Sequence, residues 1–303
     1  MSVFDSLVRA TLPITPKPMV HFFARRYVAG SRLEDAIATV QKLAQQGCCS
    51  TVDVLGEAVT GRRHADAAVA AYHELLETIT AESLPAHVSL KPTQMGLNID
   101  YSFCRDNIAS VLESAHAKGI FVRIDMEDSP TTDATLRVYH ELIQRYPKGT
   151  GVALQARLRR TLADATALAK PDANVRLCKG IYLEPRAVAY EERDIIRTAF
   201  VHALGILLEG GTHVGIATHD EWLVCEALAM IHRLHLGKDR YEFQMLLGVD
   251  PELRHILTEA GHRLRVYVPF GSHWYPYSVR RLRENPTIAR VGLEAFLRGR
   301  MES

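Results

Sequence analysis

The chain has 303 residues, 36 Lys plus Arg against 35 Asp plus Glu, and a formal net charge of +1. That balance excludes the basic footprint of a nucleic-acid binder, and the length admits one large domain or two small ones. Cys48, Cys49, Cys104, Cys178 and Cys225 show neither CxxC nor Cys/His spacing, so a reducing compartment is expected and structural zinc is not. The first residues lack a basic segment followed by an apolar run, and no apolar run is long enough to span a bilayer. A cytoplasmic protein is expected, and the composition is compatible with peripheral contact at the inner face of the cell membrane.

Residues 17–46 read as helical. Phe22, Phe23 and Tyr27 have helical spacing, and after Ser31 the residues Leu33, Ile37, Val40 and Leu43 share one side. Residues 1–48 are therefore expected to form an N-terminal helical segment packed on one domain, 49–303. A short strand follows, with Val52 and Val54 on one face, and ends at Leu55, Gly56 and Glu57. From there strands rich in Val, Ile and Leu alternate with amphipathic helices. Further strands are expected at 88–91, 122–125, 152–155, 175–179, 214–218, 243–247 and 264–268. Helices are expected at 64–82, 102–118, 131–146, 159–169, 187–208, 220–233, 251–260 and 273–284. Eight strand-helix units at a spacing of roughly thirty residues suit an α/β fold of the (β/α)8 TIM-like type with extra N-terminal helices. A doubly wound sheet also alternates but usually opens with a Gly-rich phosphate loop, and the chain has no GxGxxG or GxxxxGK[ST]. No Pro-, Gly- or Ser-rich linker divides it.

The strand faces say more. Ser89 and Lys91 alternate with Val88 and Leu90. Arg123, Asp125 and Glu127 alternate with Val122 and Ile124, Gln155 and Arg157 with Val152 and Leu154, and Glu242 and Gln244 with Phe243 and Met245. In a barrel covered by helices the aliphatic face points outward, so the polar set points into the lumen or its mouth. Charges there are costly unless paired or in contact with a polar ligand. Their convergence from several strands points to a ligand site at the C-terminal ends of the strands. The strand near 175 is awkward, because Arg176 and Lys179 are three apart and a regular strand sends them to opposite faces. Either Lys179 lies past the strand end or a bulge intervenes.

The last strand runs through Leu264, Val266 and Val268. It breaks at Gly271, with Ser272 able to cap a helix on which Tyr277 lies three and four residues before Arg280 and Arg281. Two guanidinium forks beside an aromatic suit a small carboxylate, although a solvated basic helix has the same pattern. Four chemistries remain for the lumen. A metal is disfavoured, since His213, His219 and Asp220 form no HxH or HExxH spacing. A Schiff-base lysine at Lys91 or Lys179 needs a depressed pKa, which Asp125 and Glu127 would raise. A non-catalytic small-acid binder and a redox cofactor with a small acidic substrate complete the set.

Several segments bear on that choice. The stretch 175–182, Val-Arg-Leu-Cys-Lys-Gly-Ile-Tyr, resembles the Val-Arg-Leu-Val-Lys-Gly-Ala-Tyr segment of the proline dehydrogenase family. Residues 217–220, Ala-Thr-His-Asp, are similar to its Ala-Thr-His-Asn, and residues 242–246, Glu-Phe-Gln-Met-Leu, match its own segment. The strand at 265–271 with Tyr277, Arg280 and Arg281 looks like the family's substrate-gripping end. The stretches 55–57, 89–91, 124–125 and 154–156 resemble earlier family segments. The likeness runs in order from about residue 50 to 286.

The resemblance implies a flavin-dependent enzyme that oxidises L-proline to 1-pyrroline-5-carboxylate by hydride transfer to N5 of FAD, the first step of proline breakdown to glutamate. It also implies that electrons pass to a membrane quinone. It implies that Lys91, Arg280 and Arg281 clamp the carboxylate, with Glu57 pairing Arg280. Tyr267, Tyr277 and Leu177 would wall the ring, and Asp125 would orient Lys91. Gln155, Arg176, Lys179, Gly180, Tyr182, Thr218, His219 and Gln244 would line the FAD. The alternatives are a hydroxyproline or other cyclic amino acid dehydrogenase and the non-catalytic binder. Cys178, Ile181, Arg157 and Asp220 depart from the family's Val, Ala, Tyr and Asn. Ile181 adds bulk near the substrate segment, and Arg157 and Asp220 add charge near the cofactor.

Overall fold

The computed structural model describes residues 25–275 and 277–279. Its strands are β1 (Cys49–Val54), β2 (Ala86–Leu90), β3 (Val122–Ile124), β4 (Thr150–Gln155), β5 (Asn174–Cys178), β6 (His213–Ala217), β7 (Tyr241–Leu246) and β8 (Leu264–Phe270). All pair in parallel, each with the next in sequence, and β8 closes onto β1. Helix α1 (Leu33–Gln45) precedes the barrel. Helices α2 (Arg62–Ala81), α3 (Tyr101–Ala117), α4 (Thr132–Ile143), α5 (Thr161–Leu168), α6 (Arg193–Glu209), α7 (Glu221–Arg233) and α8 (Pro251–Glu259) follow the first seven strands.

Register shows which face is which. Val52, Val88 and Val122 lie side by side across β1 to β3. Leu154, Leu177, Ile216 and Phe243 do so across β4 to β7. These are buried against the helices, as expected when β-branched and long apolar residues occupy every second position. The other face runs Asp53, Ser89, Arg123, Gly151, and higher up Gln155, Cys178, Ala217, Gln244, Arg265. Gly151 and Gly215 sit on this inner face because large polar neighbours need the space. A Cβ at Gly151 would strike the Arg123 guanidinium and the Asn174 carbonyl, and one at Gly215 the Gln244 amide.

Two boundaries differ from the sequence reading. The helix after β5 starts at Arg193 rather than 187. Residues 188–190 instead pair with the turn after β4, where Arg159 N donates to Val188 O at 2.9 Å and Tyr190 N to Arg157 O at 2.7 Å. Of the helix expected over 17–46, α1 takes 33–45 and residues 25–27 form a turn, while 17–24 lie outside the described residues. The inner stripe of α1, Ala36, Ile37, Val40 and Leu43, is buried. Among the described residues no helix is long and apolar enough to cross a membrane.

Candidate active site

Strand β5 ends at Cys178, so Lys179 lies past the strand end and the face conflict disappears. Gly180 follows with φ of 96°, a turn conformation that glycine enters without strain. Arg157 folds over it, and its Nη1 donates to Tyr182 O at 2.5 Å.

Lys91, just beyond β2, is 6% exposed. Its ammonium donates to Asp53 Oδ1 at 2.8 Å, to Asp53 Oδ2 at 2.7 Å and to Tyr267 Oη at 3.3 Å. Burial favours the neutral amine, but Asp53 and Asp125 outweigh it and hold the Lys91 pKa above its ordinary value. Asp53 was missed by the sequence reading. It alternates with Val52 and Val54, and the face rule applied to the other strands would have sent it inward. It also takes the role assigned to Asp125. Asp125 makes no direct ion pair with Lys91 and is fixed by other donors: Ser89 Oγ at 2.8 Å and Arg176 Nη1 at 2.5 Å on Oδ1, and Tyr267 Oη at 2.9 Å on Oδ2. Burial, then Asp125 and Asp53, push the Tyr267 phenol well above its usual pKa, so it stays a donor.

Arg176 carries the network onward. Its Nε donates to Gln244 Oε1 at 2.7 Å, and its guanidinium lies 5.2 Å from the Tyr267 ring centroid. Gln244 Nε2 donates to Glu242 Oε1 at 2.6 Å, and Arg265 holds Glu242 at 2.7 and 3.1 Å. Burial acts to raise Glu242, yet Arg265 brings it down to about 2. These buried charges meet opposite charge in hydrogen-bonding geometry, whereas the buried Arg123 donates to the Val152 and Asn174 carbonyls and the Asn174 side chain.

On the far side of the mouth, Asp220 gathers Lys179 at 3.0 Å, Arg197 at 2.7 Å and Arg193 at 3.5 Å. Burial acts to raise Asp220, but Arg197 and Lys179 hold it well below the carboxylate range. Asp194 also pairs with Arg197 at 3.3 Å, so three cations against two carboxylates leave one positive charge over at the rim. His219 Nε2 accepts from Leu246 N at 2.8 Å, which puts the neutral ring's proton on Nδ1. Thr218 Oγ1 accepts from Asp220 N at 3.0 Å, and Gln155 Nε2 donates to Glu127 O at 2.6 Å. Glu127 accepts from Thr93 N and Oγ1 at 2.9 and 2.6 Å, and burial raises it to about 7.

The structure corrects Leu177. It lies in register with Leu154 and Ile216 on the outer face, fully buried, and cannot wall the lumen. The leucine on the inner face is Leu246, two residues after Gln244 and paired in register with Tyr267. Tyr277 is buried beside Leu55 and Val28. Glu57 is half-buried on the turn after β1. Arg280 and Arg281 lie outside the described residues. Among the described residues no cluster of three or more His, Cys, Asp and Glu could hold a metal.

A closed eight-stranded parallel barrel with a lumen of paired charges opening at its C-terminal mouth defines a (β/α)8-barrel enzyme for a small polar substrate. The sequence profile of the family described as Proline dehydrogenase matches residues 36–291. The chain is 32% identical over 275 residues to proline dehydrogenase 1 of Bacillus subtilis, covering 91% of each. It is 32% identical over 310 residues to the proline dehydrogenase of Deinococcus radiodurans, covering 98% of this chain and all of that one. Among solved structures it superposes on proline utilization A of Bdellovibrio bacteriovorus, inactivated by N-propargylglycine, with a TM-score of 0.81 at 25% identity. That match covers 87% of this chain and 32% of that larger protein, so the chain spans about a third of its length. The chain belongs to the proline dehydrogenase family, and its reaction is the oxidation of proline.

Proposed function

We propose that the barrel binds L-proline by its carboxylate at the mouth between β1, β2 and β8 and oxidises it to 1-pyrroline-5-carboxylate against a bound FAD, whose electrons then pass to a membrane quinone. The observation that carries this reading is the buried Lys91 nitrogen held between Asp53 and Tyr267. Lys91 presents a fixed positive charge where a carboxylate can reach it, and in this reading Arg280 and Arg281, which lie outside the described residues, complete the grip as the family resemblance implies. The same resemblance assigns Glu57, half-buried just after β1, as the ion-pair partner of Arg280. Tyr267, Tyr277 and Leu246 wall the ring and exclude water. Asp125 keeps Tyr267 and Arg176 in place, so the polar floor does not shift when substrate enters.

The residues present fit a dinucleotide flavin. Lys179, Arg193 and Arg197 outnumber Asp220 and Asp194 by one at the rim, which suits an anionic diphosphate. Gln155, Arg176, Thr218, His219 and Gln244 offer donors and acceptors along the adjoining strand ends, and Gly180 and Tyr182 border them. FAD, when bound, supplies the hydride acceptor for the ring carbon next to nitrogen. Substrate must enter, or become, the neutral amine, because a protonated nitrogen has no lone pair to expel hydride.

The test is the visible spectrum of the purified protein. A flavin band that bleaches on anaerobic addition of L-proline and returns on addition of a soluble quinone is the expected result. A colourless protein that gains nothing from added FAD would instead favour a binding barrel. A band that bleaches with hydroxyproline and not with proline would move the substrate to the other cyclic amino acid.

A further inference from the structure

Residues 25–30, ahead of α1, form a strap tied to the C-terminal end of β8. Ala29 N donates to Pro269 O at 2.9 Å, and Gly271 N donates to Gly30 O at 3.0 Å. Further back, the Arg26 carbonyl lies against Gly248 in the β7–α8 loop, so close that a Cβ there would collide, and Gly248 has φ of 73°. Held at these points, the strap turns Val28 inward. Val28 is 5% exposed and packs with Leu55, Tyr277 and the half-buried Trp274 in an apolar cluster of its own, apart from the main core.

Each partner of Val28 belongs to an element that reaches the substrate mouth. Leu55 opens the turn that carries Glu57, and its N donates to Phe270 O at 2.7 Å. Trp274 and Tyr277 lie on the helical residues that follow β8. The inner stripe of α1 is anchored in the main core, whereas Val28 touches these two mouth elements.

We infer that Val28 is a positioning residue for substrate binding. The strap sets the height of the Tyr277 helix and of the turn at Leu55 over the mouth, and so controls proline affinity without contributing to the flavin end of the lumen. This rests on the reading above, in which Tyr277 walls the substrate. Val28→Ala removes two methyl groups from the contact. About 0.8 kcal/mol for each of the two buried groups corresponds to roughly a tenfold change when the loss is felt in substrate binding.

The experiment is steady-state kinetics of the purified, flavin-loaded protein with proline, together with flavin content and Tm, for wild type, Val28→Ala, Val28→Ile and Gly248→Ala. The expected result is a KM for proline about tenfold higher in Val28→Ala, with kcat and bound flavin within about twofold. Val28→Ile should return KM to near the wild-type value. Gly248→Ala displaces the strap from outside the cluster and should give the same split, which keeps the test open should Val28→Ala fail to fold. Unchanged KM in both Val28→Ala and Gly248→Ala overturns the inference. So does a joint fall of kcat, flavin content and Tm with no separate effect on KM. A wild-type protein that proline does not reduce strikes the proposed function itself, whereas an active wild type with indifferent strap variants strikes only the strap.

Discussion

Lys91 directs its ammonium hydrogens at protein acceptors: the two oxygens of Asp53 and the hydroxyl of Tyr267. A carboxylate arriving from solvent must take one of those hydrogens, and Asp53 keeps the nitrogen charged while it does so. Asp53→Asn removes the largest charge that opposes burial at Lys91 and leaves Asp125 and Glu127 to oppose it alone, so its pKa falls. The charged form then disappears as pH rises. KM for proline in Asp53→Asn should climb by about one to two decades, the worth of a charge-assisted hydrogen bond, and should climb further as pH rises, at lower pH than in wild type. Parallel KM–pH curves for mutant and wild type would remove this role. Arg281→Met or Arg280→Met should raise KM by a similar factor while flavin stays bound, and unchanged kinetics in both would remove the guanidinium clamp. Asp220 stands where relatives are expected to carry Asn. Asp220→Asn releases Lys179 and Arg197 from a carboxylate, so FAD should bind more tightly in a titration while the flavin-free protein loses about 1–3 kcal/mol in denaturant unfolding. Weaker FAD binding would place Asp220 on the side of the cofactor. At this scale the sequence was read well where a residue continued an alternating pattern already recognised, as with Gln244. It was read poorly at Leu177, because a motif resemblance carries no side of the strand.

Strands in this barrel are specified by two independent needs, an aliphatic outer face for the helices and an inner face with room for large polar side chains to reach partners. The second need explains the mid-strand glycines, which β-propensity alone disfavours. Gly215→Ala forces a methyl group into the space of the Gln244 amide, which should lower stability by about 1–3 kcal/mol in thermal or urea unfolding. It should also disturb Arg176 through its bond to Gln244. Wild-type stability in this variant would mean that the inner face has slack. The seven helices after β1 through β7 were legible from their apolar periodicity. The start of α6 was not, because residues 187–192 have helical composition but are captured by the turn after β4, a contact between segments about 30 residues apart in the chain.

Across the whole molecule, polarity is segregated along the barrel axis, with the site at the C-terminal mouth and a second buried polar group at the foot. His87 and His213 lie on inner-face positions near the N-terminal ends of β2 and β6, with Arg265, Arg123 and Glu242 around them. Burial, reinforced by the arginines, lowers both imidazole pKa values, so the folded protein keeps them neutral. The unfolded chain takes up protons below about pH 6.5 where the folded one does not, so their contribution to stability is full above that pH and is lost on acidification. The slope should approach about 1.4 kcal/mol per pH unit for each histidine. Unfolding free energy measured from pH 7.5 to 5 should therefore fall more steeply in wild type than in the His87→Asn/His213→Asn double variant, and identical slopes would show that the foot does not titrate in this window.

The sequence by itself determined the alternation of strands and helices, the closure into eight units and most of the polar residues that line the lumen, because each of these follows from a local period of two or 3.6 residues. It also determined the family, because the motifs recur in order. Only the tertiary structure decided which acid holds Lys91, which leucine lies on the inner face and where the residues ahead of α1 pack. Those answers depend on distances between strands and segments far apart in the chain, and no local period encodes a distance across a closed barrel.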